Sequence, residues 1–156
     1  MRKMIISVIL RPTRGAAIMD KQLARFVKPD ERFDYRGGLS LLEMGSTLPF
    51  EVRRAYWIYG TAPGVARGFH AHRRLNQICL CMSGSVRIVL FDGRCEESFQ
   101  LLPGMGGLVL PPWLWHEMHD FSPDCVLSVL ADGEYNESDY VRNRENFITH
   151  VHSSEF

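Results

Sequence analysis

No charge of either sign predominates in this 156-residue chain: 18 Lys and Arg balance 18 Asp and Glu. A net charge of zero gives no global field to recruit nucleic acid or an anionic membrane, so any anionic ligand must be held by locally placed arginines. Cysteine is sparse. Its four copies (Cys79, Cys81, Cys95, Cys125) contain no CxxC pair and no framework spacing, and read as free thiols of a reducing cytoplasm. Long hydrophobic runs are missing too. The leader "MRKMIISVILRP" imitates a signal peptide, but its apolar stretch spans seven residues and no small-residue cleavage site follows. Nothing else approaches a membrane span. Cytoplasmic location is therefore the expectation. Repeats and low-complexity linkers are also absent.

Residues 1–21 do not merge with the patterned region behind them, and Met19 is an alternative start. They are expected to be a poorly ordered extension, with 22–156 a single domain. From Leu23 onward, short apolar segments lie between turn signals: 37–43, 53–59, 66–72, 77–82, 85–91, 97–102, 107–112 and 125–131. Ser83-Gly84 and Asp92-Gly93 read as hairpin connectors. Many short strands at this spacing predict an all-β antiparallel sandwich or barrel. Only the tail reads as helical, with Asn136 capping a turn that holds Glu137 and Asp139 and runs toward Phe147.

The chemistry concentrates in "GFHAHRRLNQ" (68–77). On a strand, His70 and His72 point to one face, their Cα atoms about 6.6 Å apart. His116 follows "LVLPPWLW", and the HxH pair, Gln77, Gly84, Pro111 and His116 match the two motifs of the cupin barrel. Metal cupins carry a glutamate where Gln77 stands. Without it, three neutral imidazoles and an amide remain, a weak set for a divalent ion although three histidines can hold zinc. Metal-free proton transfer ranks first, a three-histidine metal site second, and packed structural histidines third. Imidazole, with an ordinary pKa of about 6.5, suits transfer of a C–H proton beside a carbonyl and of a neighbouring hydroxyl proton.

Five segments extend the comparison: "FDYRGGLSLLE", "LPFEVRRAYWIYG", "ARGFHAHRRLNQ", "WHEMHDFSPDCVLSVLA" and "YNESDYVRNRENF". Together they resemble the WxcM/FdtA-like sugar 3,4-ketoisomerases over roughly residues 22–148. The resemblance implies a cupin jelly roll with a short C-terminal helix, a homodimer with strand exchange, and no metal or organic cofactor. It implies dTDP-4-keto-6-deoxy-D-glucose as substrate, with the ketone moved from C4 to C3 through an enediol. The product would feed an aminotransferase making 3-amino-3,6-dideoxyhexoses for surface polysaccharide such as O-antigen.

Carried over by position, the catalytic pair is His70 and His72; we assign His70 to the carbon proton, with the reverse order open. Arg36, Arg54, Tyr56, Arg67, Gln77, Trp115, His116 and Glu117 form the expected substrate-binding set. Arg67 is a candidate either to hold the pyrophosphate or to stabilise the enediolate, and Arg36 is another candidate phosphate binder, from across the dimer. A metal-dependent cupin and a non-catalytic sugar-nucleotide-binding barrel are the alternative functions.

Overall fold

A computed structural model describes residues 22–153. The 1–21 extension expected from the sequence therefore lies outside the described residues. In chain order the strands are β1 (Arg25–Val27), β2 (Asp30–Asp34), β3 (Gly37–Leu41), β4 (Arg54–Tyr59), β5 (Arg67–His72) and β6 (Gln77–Ser83). They continue with β7 (Val86–Phe91), β8 (Glu96–Leu101), β9 (Gly107–Leu110), β10 (Trp115–His119), β11 (Val126–Ala131) and β12 (Tyr140–Val141). Helix α1 (Arg144–Ser153) ends the described chain.

Two five-stranded sheets, β1-β9-β6-β11-β4 and β12-β5-β10-β7-β8, form the jelly-roll sandwich, and every named strand pair is antiparallel. The expected all-β class holds, as does the short C-terminal helix. Two local expectations change. Asp92-Gly93 does join a hairpin, β7–β8, but Gly84 instead carries the chain from one sheet to the other. In the tail, Asn136 does cap a turn, receiving the Ser138 amide at 3.0 Å, yet that 3-10 turn (Glu137–Asp139) is interrupted by β12 before α1 begins. Strand pairing of Tyr140 with His72 and Val141 with Ala71 outcompetes helix continuation there.

The core follows a period of two, as one inward face of each strand requires. Val86, Ile88 and Leu90 on β7 meet Cys79 and Cys81 on β6, Leu108 and Leu110 on β9, and Leu127 and Val129 on β11. Each large aliphatic side chain so buried contributes about 1.5–3 kcal/mol. Toward one end of the sandwich the inward rows turn polar. On β4 the row runs Ile58, Tyr56, Arg54; on β6 it runs Cys81, Cys79, Gln77; on β10 it runs Met118, His116. Pairing aligns these ends: Arg54 and Gln77 both face Ala131, and His116 faces His70. The barrel is thus closed by hydrocarbon at one end and lined by ionisable groups at the other.

Among the described residues the β2–β3 hairpin pairs with no other strand, and it leaves Phe33 75% and Tyr35 97% exposed. Among the described residues, no helix is long and apolar enough to cross a membrane.

Candidate active site

Three imidazoles meet at the polar mouth. The ring centroids of His70 and His116 are 4.4 Å apart, those of His70 and His72 4.9 Å, and those of His72 and His116 6.1 Å. In each ring Nδ1 faces an atom that can only accept: the Gly68 carbonyl for His70 (2.9 Å), Asp139 Oδ2 for His72 (3.0 Å) and the Leu114 carbonyl for His116 (3.3 Å). Nδ1 therefore carries the hydrogen in the neutral rings, and Nε2 carries the lone pair.

Burial holds all three rings toward the neutral form. It lowers the His72 pKa to about 4, aided by neighbouring His70 and opposed by Asp139. It lowers His70, where the Gly68 carbonyl pulls the other way, and His116 well below the usual range. The site is a set of bases ready to accept protons. His72 Nε2 is buried and has no hydrogen-bond partner, which fits a group whose partner is a substrate proton.

Asp139 does lie in the turn capped by Asn136, but nothing in the sequence marked it as a site residue. It is buried, and its carboxylate accepts the amides of Arg74 (3.0 Å) and Leu75 (3.3 Å) as well as the His72 ring. Its carbonyl takes the Arg73 amide at 2.9 Å, so the turn after β5 is pinned to the tail. A buried histidine needs an acceptor for its Nδ1–H; that requirement was the signal in the sequence, but several acids could have met it. Tyr140 was also missed. Its ring lies 4.4 Å from His72 and 4.9 Å from His70, and walls the cluster.

Gln77 is 1% exposed and donates its amide to the Tyr56 hydroxyl at 2.9 Å. Burial raises the Tyr56 pKa, so its phenol stays protonated. Arg54 stacks over Tyr56 and Tyr135, and its Nε is buried without a partner. With His72, Asp139, Tyr140 and Arg74 it lines a cavity of about 310 Å³.

Other expected residues lie outside the imidazole cluster itself. Arg67 donates Nε to Thr61 Oγ1 at 3.3 Å, beyond the Gly68 end of β5. Arg36 pairs with Asp34 on the exposed β2–β3 hairpin, and the chain's own fold does not bring it to the histidines. Trp115 and Glu117 alternate with His116 and face away from it. Trp115 packs on Phe147 and donates Nε1 to Glu117 at 2.9 Å, while Glu117 also receives His119 and Arg144. These donors outweigh burial and hold the Glu117 pKa below the ordinary range. That group anchors α1 to the sheet.

No group of three or more His, Cys, Asp or Glu among the described residues is arranged to hold a metal ion. The carboxylate that meets the imidazoles, Asp139, is engaged by His72 Nδ1 and by the Arg74 and Leu75 amides.

Known proteins resemble this chain in sequence and fold. The family model described as FdtA, WxcM-like, C-terminal, matches residues 19–152. A TDP-4-oxo-6-deoxy-alpha-D-glucose-3,4-oxoisomerase from Aneurinibacillus thermoaerophilus is 43% identical over 118 residues, 76% of this chain and 85% of that protein. A mutant of the 3,4-ketoisomerase QdtA from Thermoanaerobacterium thermosaccharolyticum, solved with TDP-4-keto-6-deoxyglucose, superposes with a TM-score of 0.81 at 33% identity, covering 85% of this chain and 96% of QdtA. A 3,4-ketoisomerase from Helicobacter canadensis gives 0.78 at 40% identity over 83% of this chain and 97% of its own. With this match across the barrel and its histidine-bearing mouth, the chain belongs to the FdtA (WxcM-like, C-terminal) family.

Proposed function

We propose that this protein is a nucleotide-sugar 3,4-ketoisomerase that converts dTDP-4-keto-6-deoxy-D-glucose to the dTDP-3-keto-6-deoxyhexose. The observation that carries the reading is the histidine cluster, with each Nδ1–H engaged and Nε2 left basic. The relatives' activities support the same substrate class.

His70 Nε2 takes the proton from C3, acidified by the C4 ketone, and the released electron pair forms the C3–C4 double bond. The C4 carbonyl pair moves onto its oxygen, and His72 Nε2 takes the C3 hydroxyl proton and delivers it there, leaving the enediol as its monoanion with the charge on the C3 oxygen. That charge collapses to the C3 ketone as the double bond takes a proton at C4 from protonated His70. Every proton is restored, so the reaction requires no external acid, base or redox partner. Asp139 holds the His72 ring and favours its transient cation. The Arg54 guanidinium, beside His72 on the cavity wall, stabilises negative charge developing on the sugar oxygens. General acid–base groups of this kind contribute about 10²–10⁴-fold each.

The working form in this proposal is a cytoplasmic homodimer in which the β2–β3 hairpin is exchanged, bringing Arg36 to the partner's nucleotide. Exposed Phe33, Tyr35 and Leu39 on the hairpin support that assembly, as do Trp57 and Tyr59 on the outer face of β4. Cys79, Cys81, Cys95 and Cys125 are all free, in keeping with a reducing compartment. The C3 ketone formed is the group a downstream aminotransferase would consume.

Replacement of His70 by Asn tests the assignment. The variant should keep the wild-type circular dichroism spectrum and melting behaviour while losing isomerisation; retained turnover would remove His70 from the mechanism.

A further inference from the structure

The pairing between β5 and β10 is irregular at one point. His116 faces His70, yet Glu117, the next residue of β10, faces Gly68. Phe69 is therefore an extra residue without a partner, a β-bulge. Gly68 and Phe69 both take positive φ, 86° and 56°. That conformation is ordinary for glycine but uncommon for an aromatic residue. A Cβ on Gly68 would lie 2.8 Å from the His116 carbonyl oxygen and 3.1 Å from the Glu117 Cα, so only glycine allows the two strands this close.

We propose that the Gly68-Phe69 bulge positions the reaction centre by aiming the Gly68 carbonyl at His70 Nδ1 and by carrying Arg67 onto the histidine-bearing face of β5. The proposal rests on the reading of His70 as a proton carrier. Its first half follows from the 2.9 Å contact between the Gly68 carbonyl and His70 Nδ1. His116 reaches the carbonyl two residues back at 3.3 Å without a left-handed residue between; at His70, where Phe69 intervenes in left-handed φ, the same contact closes to 2.9 Å.

The second half follows from parity. In a regular strand Arg67, three residues before His70, faces the opposite side of the sheet. Here Arg67 pairs with Met118, and cross-strand partners share a face. Met118 belongs to the core and lies two residues from His116, so Arg67 stands on the histidine side. The bulge cancels the odd offset. Arg67 meets Thr61 and no carboxylate among the described residues, which leaves its charge for an anionic group of the substrate. Phe69 itself is held by an edge contact with His119 at 5.6 Å. Phe69 and Gly68 are positioning residues, acting through His70 and Arg67.

Imidazole ¹⁵N–¹H correlation spectra and steady-state kinetics test this on wild-type, Phe69→Asn and Phe69→Val protein. Asn tolerates left-handed φ; Val, branched at Cβ, resists it. Wild type and Phe69→Asn should show His70 as a single Nδ1–H tautomer with kcat within about threefold of each other. Phe69→Val should mix the tautomers, lower kcat at least tenfold and raise KM. If Phe69→Val does not fold, the other two proteins still decide the matter: an Nε2–H tautomer of His70 in wild type, or its loss in Phe69→Asn, overturns the proposal. A Phe69→Val protein that folds with unchanged tautomer and kinetics overturns it as well. Absence of isomerisation by wild type would instead defeat the proposed function, since the tautomer readout stands independently of turnover.

Discussion

Asp139 Oδ2 lies 3.0 Å from His72 Nδ1, and the two side chains are 9% and 3% exposed. A carboxylate so placed fixes the tautomer of its histidine, prevents the ring from turning over and offsets the cation formed when Nε2 takes a proton. It is itself held by two backbone amides, so the pair is oriented from both ends.

Asp139→Asn keeps the size of the side chain but removes its charge. With its one amide oxygen on the backbone, its NH2 faces His72 Nδ1, so both the charge partner and the tautomer lock of His72 are lost. We expect kcat to fall about 10²–10⁴-fold with little change in KM. Asp139→Ala should do the same and also lower stability by about 1–3 kcal/mol, because buried amides lose their acceptor. Paired kinetics and denaturant titrations check both; unchanged kcat in Asp139→Asn would detach it from the chemistry.

Stability should fall with acid in a defined window. In the unfolded chain a histidine titrates near 6.5, whereas burial lowers folded His72 to about 4. Between these values the unfolded state binds more protons, so stability is full above the unfolded pKa and is lost as pH falls toward the folded one. His72 alone contributes about 3 kcal/mol of this dependence, from the roughly 2.5-unit separation at 1.36 kcal/mol per unit. Urea unfolding from pH 7 to 4 should show the slope, and His72→Gln should flatten it.

Metal should be dispensable. Elemental analysis of active protein should find no stoichiometric transition metal, and chelation should leave the rate unchanged. Gln77→Glu would place a carboxylate among the imidazoles at a site only 1% exposed. That variant should gain affinity for divalent metal and lose several kcal/mol of stability when metal-free, from burial of a charge. Copurifying metal whose removal abolishes wild-type turnover would favour the metal-dependent alternative.

Arg54 should trade stability for function. Its Nε is buried without a partner, and no carboxylate pairs with it among the described residues. Arg54→Met should keep much of the packing against Tyr56 and Tyr135, leave the melting temperature equal or higher, and cut kcat/KM at least a hundredfold. A loss of stability with intact kcat/KM would make it a structural cation.

β4, β6, β7 and β11 were readable as short apolar runs between turn signals; in β6 and β7 both faces are buried, Ile78 as fully as Cys79 and Val89 nearly as fully as Ile88. β10 was not. His116 and Met118 face inward while Trp115 and Glu117 meet α1 and His119 meets Glu117 and Phe69, so neither face is uniformly apolar. β2 consists wholly of exposed residues and has no burial pattern to find. At the site, HxH identified the paired imidazoles directly, since period two is local. The contributions of Asp139, 67 residues from His72, and of the Phe69 bulge depend on which strands pair. Gln77 was legible only as the absence of a carboxylate; its bond to Tyr56 shows what that amide does instead.

The central claim is proton transfer between adjacent sugar carbons by histidine, and one incubation tests it most directly. Protein, dTDP-4-keto-6-deoxyglucose and deuterium oxide are combined and the products followed by NMR. The account predicts a 3-keto product formed by wild type and not by His70→Asn, carrying at C4 the former C3 hydrogen, or deuterium where protonated His70 exchanges with solvent before it delivers its proton. No isomerisation and no exchange, with this and other nucleotide 4-ketosugars, would contradict it.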